Sequence, residues 1–460
     1  MVNKEKSEAE LKQKAREMSI KEGSFSTVRQ SLCDSYITPF AVAINSSNFI
    51  IGLLTSLSGL VGPISQWFSS RLIETYSRKK IVVTSLFYES LMWIPMILTA
   101  FLFYKGIVTS ILPLAFLILF SIYVILANIA GPAWFSWVGD LVDDSYRGKW
   151  FSKRNLILGV VGLISTLLAA LFLDYSKSRG MIMFGFMVLF FLGMTARLIA
   201  REYFKRSYEP KLVLDKSYYF SFWEFIKKAP YNNFGRYTLF RTVMNFSVSI
   251  AGPFFTVYML RDLHFSYVTF ILVTLAQSFF GLLVMKKWGR FADRYGNYLV
   301  LKLTLVFISI YPLLWLFPNP PLWYLLLVTE LVGGVAWAGF NLAGSNYIFD
   351  CVTPQRRGIV VSYFNVLNGI GVFLGAGLGA ILVGTLNITF MNILLFVILV
   401  SGIARLVGGL LMIPYIKEVR KTEKFDSSDA LRNLIPLKRV NNVLENTYEF
   451  LAKKRVNWKK

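Results

Sequence analysis

The sequence predicts an all-α integral membrane protein: twelve transmembrane helices folded as two pseudo-symmetric six-helix bundles, with the N- and C-termini in the cytoplasm. Three observations carry that prediction. Apolar runs of spanning length recur along the chain, Lys and Arg collect in alternate connections, and spaced matches relate the first half to the second.

Hydrophobic residues make up 55% of the 460 and charged residues 16%, too apolar for a soluble chain that must cover itself with polar surface. A bilayer core ~30 Å thick takes ~20 apolar residues per crossing helix. Suitable runs fall at 28–46, 49–69, 81–104, 109–136, 150–173 and 181–202, then at 239–260, 267–286, 299–317, 322–348, 359–383 and 389–413. The hydrophilic break between them mixes aromatic with basic residues, which predicts an amphipathic helix on the membrane surface around 218–228. The chain thus divides into an N-terminal tail (1–27), a first bundle (28–202), a middle connection (203–238), a second bundle (239–413) and a basic tail (414–460).

The net charge of +23 sits in short breaks and in the tails, so no nucleic-acid partner is expected. One set of connections holds Arg71, Arg78, Lys79, Lys80, Arg147, Lys149, Lys153, Arg154, Lys286, Lys287, Arg290, Arg294, Arg356 and Arg357; the other holds only Lys105, Lys177, Arg179 and Arg261. Basic residues are retained on the cytoplasmic side, which places both tails and the middle connection there. The expected setting is the plasma membrane, with the lipid bilayer as partner and the chain a monomer. Lys453, Lys454, Arg455, Lys459 and Lys460 can lie on anionic headgroups.

Chemistry-bearing side chains are sparse. Cys33 and Cys351 lie in different halves without CxxC spacing, and His264 is the single histidine; no metal site, disulfide framework or cofactor is expected. The absence of a GxxxxGK(S/T) phosphate loop disfavours an ATP-driven pump. A polytopic membrane enzyme would want clustered His, Asp, Glu and Cys at one face, and little here can cluster. Residues 1–29 mix charges of both signs, unlike a signal peptide.

The repeat is visible at a constant offset. Asp140, Val142, Arg147, Gly148 and Ser152 recur 210 residues later as Asp350, Val352, Arg357, Gly358 and Ser362, while Ser47, Thr55 and Glu74 match Ser266, Thr274 and Asp293 at 219. Two such halves rocking about a midplane site are how many transporters work. The expected function is therefore transport of a small solute, with a membrane enzyme or a non-transporting sensor as the alternatives from other classes.

The run Gly289-Arg290-Phe291-Ala292-Asp293-Arg294-Tyr295-Gly296-Asn297, just after the eighth span, resembles the G-x-L/F-A-D-R-x-G-R/N signature of the major facilitator superfamily. That family carries the motif after spans two and eight. The first-half copy has diverged: Glu74 stands for the Asp, Ser70 and Ser77 for the glycines and Thr75 for the Arg, while Arg78, Lys79 and Lys80 keep the basic end. Span count, middle connection and the loops with Arg147-Gly148 and Arg357-Gly358 fit the same family from Ser26 to Pro414. The resemblance implies secondary active transport by alternating access, proton-coupled or, as the alternative, facilitative uniport. It also implies cytoplasmic latches: Asp293 against the fifth span at Tyr146-Arg147-Gly148, and Glu74 against the eleventh at Arg356-Arg357-Gly358. Physically, glycines permit the tight turn and a carboxylate suits a helix N-terminus. In the family, spans two and eleven pack across the halves; Gly52, Ser56 and Gly59 on one, and Gly371, Gly375 and Gly379 on the other, supply small residues for close approach. Span five carries Gly159 and Gly162 but no proline, unlike typical proton-driven exporters of the family.

Charged residues inside spans are functional candidates by default. The resemblance puts spans 1, 4, 7 and 10 around the cavity, hence Asp34 and Glu330 as proton-coupling candidates, Asp34 alternatively pairing with a base such as Arg241 or staying hydrated. Glu89 and Arg405 fall on peripheral spans, where snorkelling or a structural ion pair is expected. Further cavity candidates are Asn128, Trp134, Trp137, Asn245, Trp337, Asn341 and Asn346, a lining that suits neutral or amphipathic solutes over highly charged ones. Gly131-Pro132 and Gly252-Pro253 are expected to kink cavity helices.

Overall fold

The computed structural model describes residues 2–142, 147–211, 221–317, 324–353 and 357–423, and every regular element among them is a helix. The first half contains α1 (Val2–Leu32) and α2 (Ile37–Ala43), which share one crossing, then α3 (Asn48–Leu72), α4 (Arg78–Leu91) with α5 (Trp93–Tyr104), α6 (Leu112–Asp140), α7 (Arg147–Ser178) and α8 (Ile182–Arg206). A short α9 (Phe222–Lys228) precedes the second half: α10 (Asn233–Ser249) with α11 (Gly252–Val257), then α12 (Tyr267–Tyr295), α13 (Asn297–Leu314), α14 (Leu325–Cys351), α15 (Arg357–Thr385) and α16 (Ile393–Met412). Eleven described stretches are long and apolar enough to cross a membrane. The α1–α2 crossing is the twelfth, and it is interrupted by a 3-10 turn at Asp34–Tyr36.

Prolines explain the interruptions. Pro39, Pro95 and Pro253 stand in the first turns of α2, α5 and α11. Proline lacks an N–H and clashes with the carbonyl four residues back, so it is tolerated in a first turn and little elsewhere. Each of those crossings restarts just ahead of its proline. Of the two Gly-Pro pairs in cavity helices, Gly252-Pro253 starts a new helix, whereas α6 continues as one helix through Pro132.

Capping accounts for part of the repeat. Ser47 accepts from the Ile50 N–H at 3.3 Å and Ser266 from the Thr269 N–H at 3.1 Å. These matched serines open the second full crossing of each half by the same device.

Glycines set the closest approaches. A Cβ on Gly371, Gly375 or Gly379 would stand 2.5, 2.0 or 2.0 Å from the backbone oxygens of Thr242, Phe246 and Ile250. That stripe seats α15 on α10 within the second half. Other glycines of α15 meet α3 across the halves: a Cβ on Gly369 would stand 2.4 Å from the Gly59 oxygen, and one on Gly59 would stand 2.4 Å from Val372. One helix thus presents small residues on two faces.

The apolar core is not uniform along the molecule. At the end remote from the tails a single buried cluster joins Phe40, Trp93, Phe116 and Phe186 of the first half to Phe254, Val257, Trp315 and Val397 of the second. At the tail end the halves have separate clusters, one around Trp137, Val138, Trp150 and Phe204, the other around Tyr237, Trp288, Phe340 and Tyr347.

Candidate functional site

Between the halves lies a cavity of about 330 Å³ lined by Ser58, Gly59, Gly62, Pro63 and Gln66 of α3, Asn128 of α6, and Asn365, Asn368, Gly369 and Val372 of α15. Glycines open the wall and carboxamides furnish it. Gln66 donates to Asn128 Oδ1 at 2.8 Å, and Asn245 of α10 donates to Asn368 Oδ1 at 2.8 Å. The remaining amide nitrogens of Asn128 and Asn368 are turned onto their own helices, at the Val124 and Phe364 carbonyls. Of the sequence candidates, Asn128 lines this cavity and Asn245 reaches it through Asn368. Gln66, Asn365 and Asn368 were not among those candidates; carboxamides inside otherwise apolar spans were the available signal.

The other candidates lie elsewhere. Trp137 is buried in the first half and donates to the Tyr208 carbonyl at 2.9 Å, while Trp134 stacks under Arg154 at 5.2 Å. Trp337 packs edge-on against Phe340, and Asn346 donates to Asn297 at 3.5 Å. Asn341 accepts from Arg241 at 2.9 Å. Asp34 pairs with Arg29 at 2.5 Å, not with Arg241, and accepts from the Tyr123 hydroxyl at 2.7 Å. Glu89 is fully buried against Arg197 at 2.6 Å. Glu330 accepts from Tyr311 at 3.0 Å, inside the second bundle. Arg405 is buried with a donor on the Ile308 carbonyl at 3.2 Å.

At the tail end each half carries the same arrangement. Arg78 opens α4 fully buried, meeting Asp140 at 2.5 Å, Ser136 at 3.0 Å and the Pro210 carbonyl at 2.7 Å. Glu209 accepts from the Arg78 backbone N–H at 2.8 Å, and Lys79 donates to the Ser207 carbonyl at 3.0 Å. In the second half Asn297 opens α13 and donates to Asp350 at 2.7 Å, while Glu418 accepts from the Tyr298 N–H at 2.8 Å. A carboxylate facing the first N–H groups of a helix is favoured by capping and by the helix dipole. Asp140 and Asp350 are repeat-matched. Glu209 and Glu418 take the same place in their halves, each with a basic residue two positions on, Lys211 and Arg420.

The signature loop completes this end. Gly296 has φ of 93°, and a Cβ there would run into Glu418, so only glycine fits. Gly289 faces open space, and Glu74 is exposed. Arg294 pairs with Glu423 at 2.6 Å. Asp293 stands 3.7 Å from Arg420, which also holds Asp350 at 2.7 Å; the Asp350 hydrogen bond raises the Arg420 pKa and keeps it charged. The described partner of Asp293 therefore belongs to its own half. Tyr146 and Arg356 lie outside the described residues, as do the side chains of Arg147 and Arg357.

At the remote end the halves are tied by polar contacts. Asp174, near the end of α7, accepts from the Tyr267 and Val268 N–H groups at 2.7 and 2.9 Å, capping α12 from the opposite half. Arg261 donates to Asn48 Oδ1 and to the Ser46 carbonyl, both at 2.5 Å.

The family model described as Major Facilitator Superfamily matches residues 25–244 and again 237–456, once per half. No curated protein matches the sequence. Among solved structures, the chain is similar to the nucleoside transporter NupG at 14% identity and TM-score 0.61, over 88% of this chain and 98% of that one. It is similar to a bacterial homologue of the iron transporter ferroportin in the inward-facing state (15%, TM-score 0.66, 88% and 98%) and to one in the outward-facing state (16%, TM-score 0.52, 88% and 99%). At these identities the likeness is one of fold. Two matched repeats, twelve crossings and a cavity between the halves have one consequence: the chain belongs to the Major Facilitator Superfamily.

Proposed function

We propose that this protein is a secondary transporter of the plasma membrane that moves a small solute by alternating access, and that the arrangement described is its inward-open form. The observation that carries the reading is the core: continuous across the halves at the remote end, divided at the tail end, with the amide-lined cavity between. The basic connections assign the tail end to the cytoplasm. The higher TM-score against an inward-facing homologue than an outward-facing one supports the same state. Reconstitution in liposomes tests it, with sugars, nucleosides, amino acids, carboxylates and phosphates screened for flux. Cysteines introduced at positions 48 and 261 and joined by a bifunctional thiol reagent about as long as the arginine side chain should stop flux; continued flux through the cross-linked protein rejects alternating access.

Proton coupling is a second reading, and Glu330 favours it. Its described partner is the Tyr311 hydroxyl, whereas Asp34 and Glu89 are neutralised by arginines. Glu330→Gln should abolish the response of flux to a pH gradient. An unaltered response excludes this residue.

A further inference from the structure

Arg241 is a charge inside the membrane for which the chain supplies no counter-ion among its described residues. One guanidinium nitrogen donates to Asn341 Oδ1 at 2.9 Å, and the group lies over the Phe340 ring at 4.5 Å. Another, Nη1, is buried without a hydrogen-bond partner. The membrane acids are committed elsewhere: Asp34 to Arg29, Glu89 to Arg197 and Glu330 to Tyr311. Arg405 also lacks a carboxylate, but it is sealed in the second bundle at 1% exposure, whereas Arg241 is only half-buried. An unpaired guanidinium at membrane depth is costly and is retained where something neutralises it.

Its position identifies what that is. α10 lies parallel to α15, with Thr242, Phe246 and Ile250 seated on Gly371, Gly375 and Gly379. Val243 and Ser247 of α10 meet Gly408 and Ser401 of α16. Arg241 and Asn245, one turn apart, share a further face. Asn245 bonds Asn368 in the cavity wall, so Arg241 stands one helical turn along α10 from that wall, on its tail side and outside the lining itself.

We propose that Arg241 is the charge-recognising group of this cavity and that the transported solute is a small organic anion, a carboxylate or phosphate. Its polar, uncharged part would meet the Gln66, Asn128 and Asn365 amides. A guanidinium binds such groups through two parallel hydrogen bonds; Nη1 still lacks an acceptor, and a solute that reaches the guanidinium would satisfy it, taking Nη2 from Asn341 to complete the fork. This inference rests on the transport reading and departs from the sequence expectation of neutral or amphipathic solutes over highly charged ones.

The test uses the purified full-length protein and matched probes that differ in the charged group: glucose and glucose 6-phosphate, uridine and its 5′-monophosphate, lactamide and lactate. At least one anionic member should raise the melting temperature where its neutral twin does not. Arg241→Gln should weaken that binding about tenfold or more, and Arg241→Lys should retain part of it. Both variants should melt near wild type without ligand. No shift from any anion, or a shift that survives Arg241→Gln, overturns the proposal. So does an equal Arg241-dependent shift from phosphatidylglycerol, which would assign the site to a lipid headgroup. Flux separates the readings: transport of a neutral twin alone sinks the anion and leaves transport standing, whereas Arg241-dependent binding without flux sinks transport and leaves the anion site.

Discussion

Glu89 sits in an apolar stretch of α4 at 0% exposure, and its carboxylate takes two guanidinium nitrogens of Arg197 at 2.6 and 2.9 Å, with Arg29 at 3.7 Å. Removing one partner of a buried pair leaves an uncompensated charge and costs ~3–5 kcal/mol. Glu89→Gln, which keeps the volume, should therefore lower the melting temperature of the purified protein by several degrees. Asp34→Asn should do less, because the Asp34 side chain is a third exposed and its cation keeps Glu89 nearby. Equal losses from the two would contradict this ranking. The place of Glu89 on a peripheral span left snorkelling or a structural ion pair open, and the pair is what is found. What the sequence withheld was the partner, since Arg197 is 108 residues away and nothing local marks it. Arg241 was named in the sequence only as a base that could pair with Asp34; Asp34 pairs instead with Arg29, and Arg241 meets Asn341.

Among elements, α15 shows how far a pattern reaches. Four-residue glycine spacing was legible as a close-packing stripe, but a stripe does not name its neighbour, and helix rotation decides which of two helices receives it. Gly375 faces the Phe246 carbonyl on α10, which cannot move aside, whereas Gly59 of α3 faces the Val372 side chain across the halves. Gly375→Ala should damage the second bundle itself, with overpacking of ~1–3 kcal/mol and a lower melting temperature. Gly59→Ala should leave melting nearer to wild type while slowing flux, because the α3–α15 seam separates the parts that move in the proposed cycle. If melting falls equally in both, the seam is part of the static packing. Crossings were readable because apolar length is local, whereas of the two prolines expected to kink helices Pro253 opens a new one and Pro132 lies within a single helix. The carboxamide wall was only half readable, because Gln66, Asn365 and Asn368 matter through where three helices meet.

For the whole molecule the question is what holds the remote end shut, and Asp174 is the most direct answer. Its carboxylate bonds two first-turn N–H groups of α12 in the other half, so the bond exists only while that end is closed. A helix cap is worth ~0.5–2 kcal/mol, and its loss should act almost wholly on the balance between the two openings. At about 1 kcal/mol the ratio of inward- to outward-open molecules falls about fivefold. Asp174→Ala should therefore lengthen the distance between spin labels at the exposed positions Ser178 and Asn387 in a growing fraction of molecules, in a background where Cys351 is replaced by serine. Adding Arg261→Ala, which removes the bonds to Asn48 and Ser46, should enlarge that fraction further, the two effects reinforcing each other because both release the same closure. A distance distribution identical to wild type in the double variant would mean that the apolar cluster around Phe40 and Phe254 closes this end alone, with the polar contacts following it.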